Sequence, residues 1–397
     1  VPFGADNNLP ANIRNLLEKN NLGPGVIDRK SGLQYGQGPH LYRLKYENNE
    51  IIKEWVYDAE VQAWLNTWDY KKFVREALLE FNYTRGVFVK YFTGRGRRIG
   101  GRDWIAKVEC EHTNDCRLEF PENGSLRLDD VKHILISDFE NMSRKNMRKY
   151  PVFDKYNPSE HSVSMFYHSY RTYGRYFYSL PSFLGSIPWV KRANDIPEII
   201  QFLTENMIAA AYIVHQPAAY WKDKEDKVRD EHPDWDDAKV ANVIVKLREN
   251  LTATIAEVMA GKRNAGKFLE VVDFYDEEGN LCQWKVEPIE MNIDKYVDAQ
   301  AKISRIADSS TTSGFGLSPA LSNIIIDGKS DSGSQMLYAL KIFYAADTEI
   351  IEDIIFQPIN NAFMTNFPDK NLFMGIYRKA VNKEDNVSAS DRVINNM

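Results

Sequence analysis

"SSTTSGFGLSPALSNIIIDGKSDSGSQM" (residues 309–336) lies between two strongly patterned segments. It is rich in Ser, Gly and Thr, and its one apolar island is Asn323-Ile324-Ile325-Ile326. Upstream, "NIDKYVDAQAKISRIADS" places Tyr296, Ile303 and Ile306 on one side of a helix. Downstream, "MLYALKIFYAADTEIIEDIIFQPINNAF" carries the stripe Leu337, Leu340, Tyr344, Ile351, Ile354 and Ile355. That stripe reads as one long helix. A hydroxyl-lined segment between two helices fits an enzyme lid, a linker or a loop lining a pore.

The rest of the chain narrows the choice. Its 397 residues are 43% hydrophobic and 27% charged, with a net charge of -6. Such a chain builds a good core. Its acidic balance argues against gripping nucleic acid over most of its surface, because phosphate binding draws on clustered Lys and Arg. It still permits DNA to slide past. The 21 Tyr, 20 Phe and 8 Trp suit large interfaces. Cys110, Cys116 and Cys282 are odd in number and widely spaced, so a reducing compartment is expected rather than a disulfide framework. No apolar run is long enough for a transmembrane helix. The start "VPFGADNNLP" has no signal-peptide pattern and no Met, so residues are expected to be missing there.

The first 180 residues read as α+β. "LPANIRNLLEKNN" is a helix with Pro10 near its start and Ile13, Leu16 and Leu17 on one face; a second short helix stops at a Gly-rich corner. "HLYRLKYE" alternates like a strand, with "NNEI" as a hairpin turn. Helices occupy 57–84, and "VFVKYF", "WIAKVECEH", "CRLEF", "HILIS" and "SVSMFYHSY" are strands. In "NDIPEIIQFLTENMIAAAYIVHQP", Asp195 and Glu198 resemble a capping box, Pro197 falls in the first turn and Pro217 ends the pattern. Residues 222–240, dense in both charges, read as a solvated excursion. A helix closed by Gly261 and two strands follow.

Signals for catalysis are weak. "GRGRRIGG" (residues 94–101) is neither a dinucleotide fingerprint nor a Walker loop, and a strand follows it. It reads as a hairpin tip whose Arg95, Arg97 and Arg98, with Arg102, are free to meet DNA or an acidic neighbour. Cys110, His112 and Cys116 lack a fourth metal ligand at any usual spacing. Asp223/Glu225/Asp226 and Asp234/Asp236/Asp237 do not form a calcium-loop pattern and read as a solvated face. No metal and no cofactor is expected.

Four segments in order resemble portal proteins of tailed double-stranded DNA bacteriophages. "PFGADNNLPANIRNLLEKNNLGPGVIDRKSGLQYGQGP" looks like the opening of such chains. "YSLPSFLGSIPWVKRANDIPEIIQFLTENMIAAAYIVHQP" is similar to the approach to the first stem helix. "LRENLTATIAEVMAGKRNAGKFLEVV" resembles the helix, loop and strand of the clip. "DKYVDAQAKISRIADSSTTSGFGLSPALSN" with "SGSQMLYALKIFYAADTEIIEDIIFQPINNAF" is similar to stem helix, tunnel loop and long wing helix. The likeness covers most of residues 1–365 and rests on shared order.

The resemblance implies an elongated α+β subunit: wing 1–190, stem helix 1 at 191–216, clip 217–290, stem helix 2 at 291–308, tunnel loop 309–335, long wing helix 336–365, and a tail or minimal crown at 366–397. It implies a non-enzymatic ring of about twelve subunits at one capsid vertex, closed by heterologous contacts. Through the ring, double-stranded DNA would pass without sequence specificity. Implied partners are the terminase large subunit, head-completion adaptor and tail proteins, and the major capsid protein and scaffold. The implied location is the virion, with assembly in the bacterial cytoplasm and no membrane. Ser310, Thr311, Thr312, Lys329, Ser330 and Ser332 would line the channel. One cation, Lys329, between Asp327 and Asp331 suits a low-friction wall, since each fixed phosphate–cation contact adds affinity and brakes movement. Lys222, Asp223, Trp235, Asp236, Lys262 and Arg263 would serve clip docking and oligomer contacts. The competing readings are a metal-dependent nucleic-acid enzyme and another minor virion or connector component.

Overall fold

The computed structural model describes residues 1–94, 103–141, 143–206, 212–260, 274–275, 281–288, 293–322 and 333–379. The chain is mixed α+β, and every strand pairing registered between named strands is antiparallel. It divides into two units, Val1–Asn194 with Arg305–Met397, and Asp195–Ser304.

The first unit opens with α1 (Leu9–Leu17) and α2 (Gly23–Tyr35). Asn20 sets the corner between them. Its side-chain oxygen accepts from Leu22 N and Gly23 N, satisfying amides at the start of α2. A hairpin follows, β1 (Pro39–Glu47) and β2 (Glu50–Trp55), joined by Asn48 and Asn49 at φ 49° and 62°. Two central residues with positive φ make the turn type whose twist matches the strands, and Asn tolerates that region. Asp58 caps α3 (Ala59–Leu65), and Asp69 caps α4 (Tyr70–Thr84).

The central sheet has the order β4-β3-β8, with β3 (Gly86–Thr93) between β4 (Ile105–Glu111) and β8 (Val163–Ser169). β3 is buried along most of its length, so the alternation of its side chains feeds two cores. Val87, Val89 and Tyr91 face a core with α3, α4 and the β1 sheet. Phe88 faces the other core, with Met165, Tyr167 and Phe3. That second core also takes the sheet β5-β6-β7, made of β5 (Cys116–Leu118), β6 (His133–Asp138) and β7 (Ser143–Pro151).

Two buried polar groups tie these layers. Arg117 is 2% exposed, and among the described residues its hydrogen-bond partners include no carboxylate. It donates to Asn7 Oδ1 and to the carbonyls of Asn7, Thr113, Asn114 and Cys116, pinning the N-terminal segment. Its rigid fork suits several neutral acceptors at once. His168 on β8 receives a hydrogen bond from the Tyr91 hydroxyl at 2.9 Å and donates through Nδ1 to Gln357 Oε1 at 2.8 Å.

Gln357 lies on the returning part of the chain, which reads differently from a single long helix. The structure has α10 (Gly333–Ala346) and α11 (Glu349–Asn366). Thr348 between them is 1% exposed, at φ -114°, and its hydroxyl donates back to the Tyr344 carbonyl at 2.9 Å. A buried Thr bonded to its own helix draws the backbone out of helical geometry there. β13 (Phe373–Ile376) then completes the sheet β13-β1-β2. Its outward amides are not left open: Met374 N donates to Asn360 Oδ1 and Ile376 N to Glu352 Oε2, both from α11. β2, at the opposite edge, has no such cover and is exposed at all its residues.

The expected start of the first stem helix is corrected. α5 (Ile187–Asn206) begins well before Asp195 and contains Pro197 within it. A 3-10 turn at Ser182–Ser186 leads into it, and Phe183 and Val190 are fully buried. That anchoring outweighs the local capping pattern. The helix also does not run to residue 216. Residues Tyr212–His215 form strand β9, paired with β12 (Lys285–Pro288).

The second unit carries β9, α6 (Ala218–Glu231), α7 (Asp237–Ala260), a short pair β10 (Phe274–Tyr275) and β11 (Leu281–Cys282), and β12. The charged excursion at 222–240 is therefore largely helix. α8 (Ile293–Gly314) and α9 (Pro319–Ser322) precede α10.

His168 makes folding acid-sensitive. Burial lowers its pKa from 6.5 to about 4. Between these values the unfolded chain takes up a proton that the folded chain refuses, so the contribution is present above pH 6.5 and is lost as pH falls toward 4. The loss is expected to be ~3 kcal/mol at most. A His168→Gln variant should be less stable at pH 7 yet show a flatter stability profile between pH 6.5 and 4, read by denaturant unfolding.

Candidate channel loop and docking faces

The hydroxyl-rich stretch is divided by the fold. Ser310, Thr311 and Thr312 do not belong to a loop; they form the last turns of α8. Thr311 and Thr312 are 1% and 0% exposed, so neither is placed to line a channel within this chain. The Thr312 hydroxyl donates to the Asp308 carbonyl, the back-bonding that lets a helix absorb Thr. Beyond Gly314 the chain stays packed. Phe315, Leu317 and Leu321 enter a core with Ile13, Leu17, Val26, Val190 and Phe343. Phe315 stacks on Phe183 with centroids 4.2 Å apart.

Polar contacts fix this root. Lys30 Nζ donates to the Phe315 carbonyl at 2.7 Å, and Arg29 Nε to the Leu321 carbonyl at 3.2 Å. Burial, with the charge of Arg85 as a lesser cause, lowers the Lys30 pKa to about 8. Ser186 Oγ donates to the Ser310 carbonyl at 3.1 Å. Gly314 is required at this point: an added Cβ would stand 2.1 Å from Ser186 Oγ. The remaining channel candidates, Lys329, Ser330 and Ser332, lie outside the described residues, as do Arg95, Arg97 and Arg98 of the basic hairpin tip and Lys262 and Arg263.

The described docking candidates fall on α6 and at the start of α7. Lys222 and Asp223 are exposed on α6, and Asp223 pairs with Lys227 at 2.7 Å. Arg229 bridges Glu225 at 2.8 Å and Asp237 at 2.7 Å. Asp223, Glu225 and Asp237 thus have cations of their own. Asp236 accepts from Lys239 N at 2.8 Å, which caps α7. Trp235 stacks on His232 at 3.9 Å. Tyr220, Trp221 and Trp284 form an aromatic group, with Arg248 over the Trp221 ring.

The proposed metal ligands separate. His112 Nδ1 lies 3.2 Å from Glu80 Oε1, a contact that raises its pKa to about 9. Cys116 is buried, and burial raises its thiol well above the ordinary value. Among the described residues no group of three or more His, Cys, Asp or Glu is placed to hold a metal ion. Among them too, no helix is long and apolar enough to cross a membrane.

Sequence reasoning passed over one feature. A cavity of about 470 Å³ is lined by Leu126, Arg127, Arg171, Arg175, Tyr176 and Phe177, among others. The signal was available in "YRTYGRY" (residues 170–176), where Tyr and Arg interleave.

No protein-family model and no curated protein matches the chain. Solved structures do. A chain in the virion of a native gene transfer agent (GTA) particle has a TM-score of 0.53 at 9% identity, over 92% of this chain and 83% of that one. A chain in the neck of an empty GTA particle (C6 symmetry) has a TM-score of 0.54 at 9% identity, over 92% of this chain and 84% of that one. At such identity the likeness is one of fold. It extends over nearly the whole chain and is consistent with the portal-type resemblance read from the sequence.

The packing at the root generates a prediction. Gly314→Ala is expected to destabilise the protein by about 1–3 kcal/mol through overpacking. Adding Ser186→Gly should recover most of that loss, measured by urea denaturation of both variants.

Proposed function

We propose that this chain is a structural, ring-forming portal subunit of a phage-like particle. About twelve copies would close around a channel at one vertex by heterologous contacts. Double-stranded DNA would move through it in packaging and ejection. A terminase motor would dock first, then head-completion adaptor and tail proteins, within a shell of major capsid protein built on scaffold.

The observation that carries this reading is the fold shared with chains of GTA virion and neck over 92% of the sequence. The second unit supports it as an excursion between α5 and α8 that bears exposed charge and an aromatic group, the mixture a docking surface uses. The nuclease reading finds less support: among the described residues no group of three or more His, Cys, Asp or Glu is placed to hold a metal ion, and Asp223, Glu225 and Asp237 pair with Lys227 and Arg229.

The first test is solution mass with negative-stain images. A particle of about half a megadalton with a central hole, roughly twelve copies of the 45.9 kDa chain, is the expected result. A monomer at every concentration, in the presence of scaffold as well, would overturn the reading.

The proposed channel role is tested first on residues 323–332, with the half-buried Ser310 left in place. Replacing them with a Gly-Ser segment of equal length should leave rings unchanged by mass photometry. DNA packaged per particle should fall about tenfold or more if this stretch manages the duplex. A wider deletion from residue 310 is expected to unfold the root instead, because Phe315, Leu317 and Leu321 would go with it.

A further inference from the structure

We infer that the cavity edged by Arg171 and Arg175 receives the acidic tip of the β1–β2 hairpin from a second copy of this chain. The inference rests on the ring reading above and names the contact that would close it.

The two surfaces are complementary in charge and in apolar character. Arg127, Arg171 and Arg175 line the cavity of about 470 Å³ together with one carboxylate, Asp129. Arg127 lies 3.5 Å from the exposed Asp129. Among the described residues, Arg171 and Arg175, both exposed, make no ion pair and no side-chain hydrogen bond. Tyr176 is 56% exposed beside them and Leu126 48%. A cationic pocket rimmed by an aromatic ring and a Leu asks for a carboxylate flanked by apolar groups.

The hairpin tip has that composition. Glu47 and Glu50 stand opposite each other across the Asn48–Asn49 turn. Glu47 is shared with Lys45 at 2.6 Å, while no ion pair is recorded for Glu50. One step back, Tyr46 faces Ile51 across the strands, at 72% and 65% exposure. A projecting hairpin with an apolar pair on one face and an uncovered edge strand is costly to leave in water, and is commonly covered by another chain.

Placement within the fold suits a ring. The β1 sheet packs in the core on one face of the central sheet, with Val87, Val89 and Tyr91. Leu128 and Tyr178, which line the cavity, belong to the core on the other face, with Phe88 and Tyr167. The sheet that carries the hairpin and the wall of the cavity therefore pack into different cores, on the two faces of the central sheet. A heterologous contact that closes by rotation requires such an arrangement, since each copy must give with one side and receive with the other.

Charge exchange tests it on the full chain, by mass photometry at micromolar concentration and fixed salt. R171E/R175E and, separately, E47R/E50R are each expected to lower the ring fraction at least about tenfold while leaving the monomer folded. The four-fold exchange E47R/E50R/R171E/R175E should restore rings, because it rebuilds the pair with signs reversed. Rings at parental level in either double variant would overturn the inference, as would a failure of the four-fold exchange to restore them. Intact rings in R171E/R175E that lose retained DNA would overturn it in favour of a phosphate-binding pocket. Absence of rings in the parent would instead remove the assembly reading itself, before any substitution is made. If charge reversal unfolds the chain, Asn49→Cys with Tyr176→Cys reads the same contact. A ladder of disulfide-linked multimers under oxidation, absent from each single variant, supports the pairing, and its absence in preformed rings overturns it.

Discussion

A three-stranded sheet that must bury both faces governs this protein. β3 has so little exposed surface that neither side of it can be left to water. One face therefore recruits α4, α11 and the β1 sheet, and the other recruits the β5-β6-β7 sheet and the N-terminal segment. A strand covered on both sides leaves no room for unsatisfied polar atoms. The Tyr167 hydroxyl accordingly meets Ser179, and the Tyr91 hydroxyl meets His168. Gly86 exists for the same reason, since a Cβ there would stand 2.2 Å from the Tyr167 hydroxyl oxygen. The outcome is a unit with two different flanks, which is what a subunit needs if unlike patches are to meet around a ring.

Much of that unit is legible in the residues because its signals are local. Alternation in "VFVKYF" and "SVSMFYHSY", the Asn-Asn turn and the Pro near the start of α1 act through their own backbone geometry. What was not legible depends on distant partners. Asp195 and Pro197 look like a helix start, yet the helix is nucleated upstream by Phe183 and Val190, and Asn194 is held by Asn20 and the Leu16 carbonyl. The apolar stripe after residue 336 gives no sign of the break near Thr348 either; there the buried threonine hydroxyl bonds back to the Tyr344 carbonyl, a local contact that an apolar pattern does not register. The Arg-Tyr cavity is invisible to pattern reading for another reason. Its walls come from residues 126–129 and 169–179, which only the fold brings together.

The hydroxyl-rich stretch shows how composition misleads at a boundary. Ser, Thr and Gly suggest a loop by frequency. Here five of the first six residues from 309 are Ser or Thr that remain helical, with a threonine hydroxyl turned onto the preceding turn, and Gly314 is a close-packing position. The apolar residues scattered after them decide the outcome. Phe315, Leu317 and Leu321 each remove side-chain area from water, worth about 1.5–3 kcal/mol for a full burial. The hydroxyls contribute nothing comparable by staying in solvent.

Charge in the second unit follows the same logic of pairing. Two of its acidic side chains, Asp223 and Glu225, are matched on α6 by cations one helical turn away, and exposed pairs of that kind add little to stability. Such pairs neither hold a metal nor fix a partner strongly. They keep a helix soluble while presenting both signs of charge. The aromatic group at Tyr220, Trp221 and Trp284 is largely spent inside the unit, with Trp221 buried and the other two half-buried, so it is the paired charges of α6 that meet solvent.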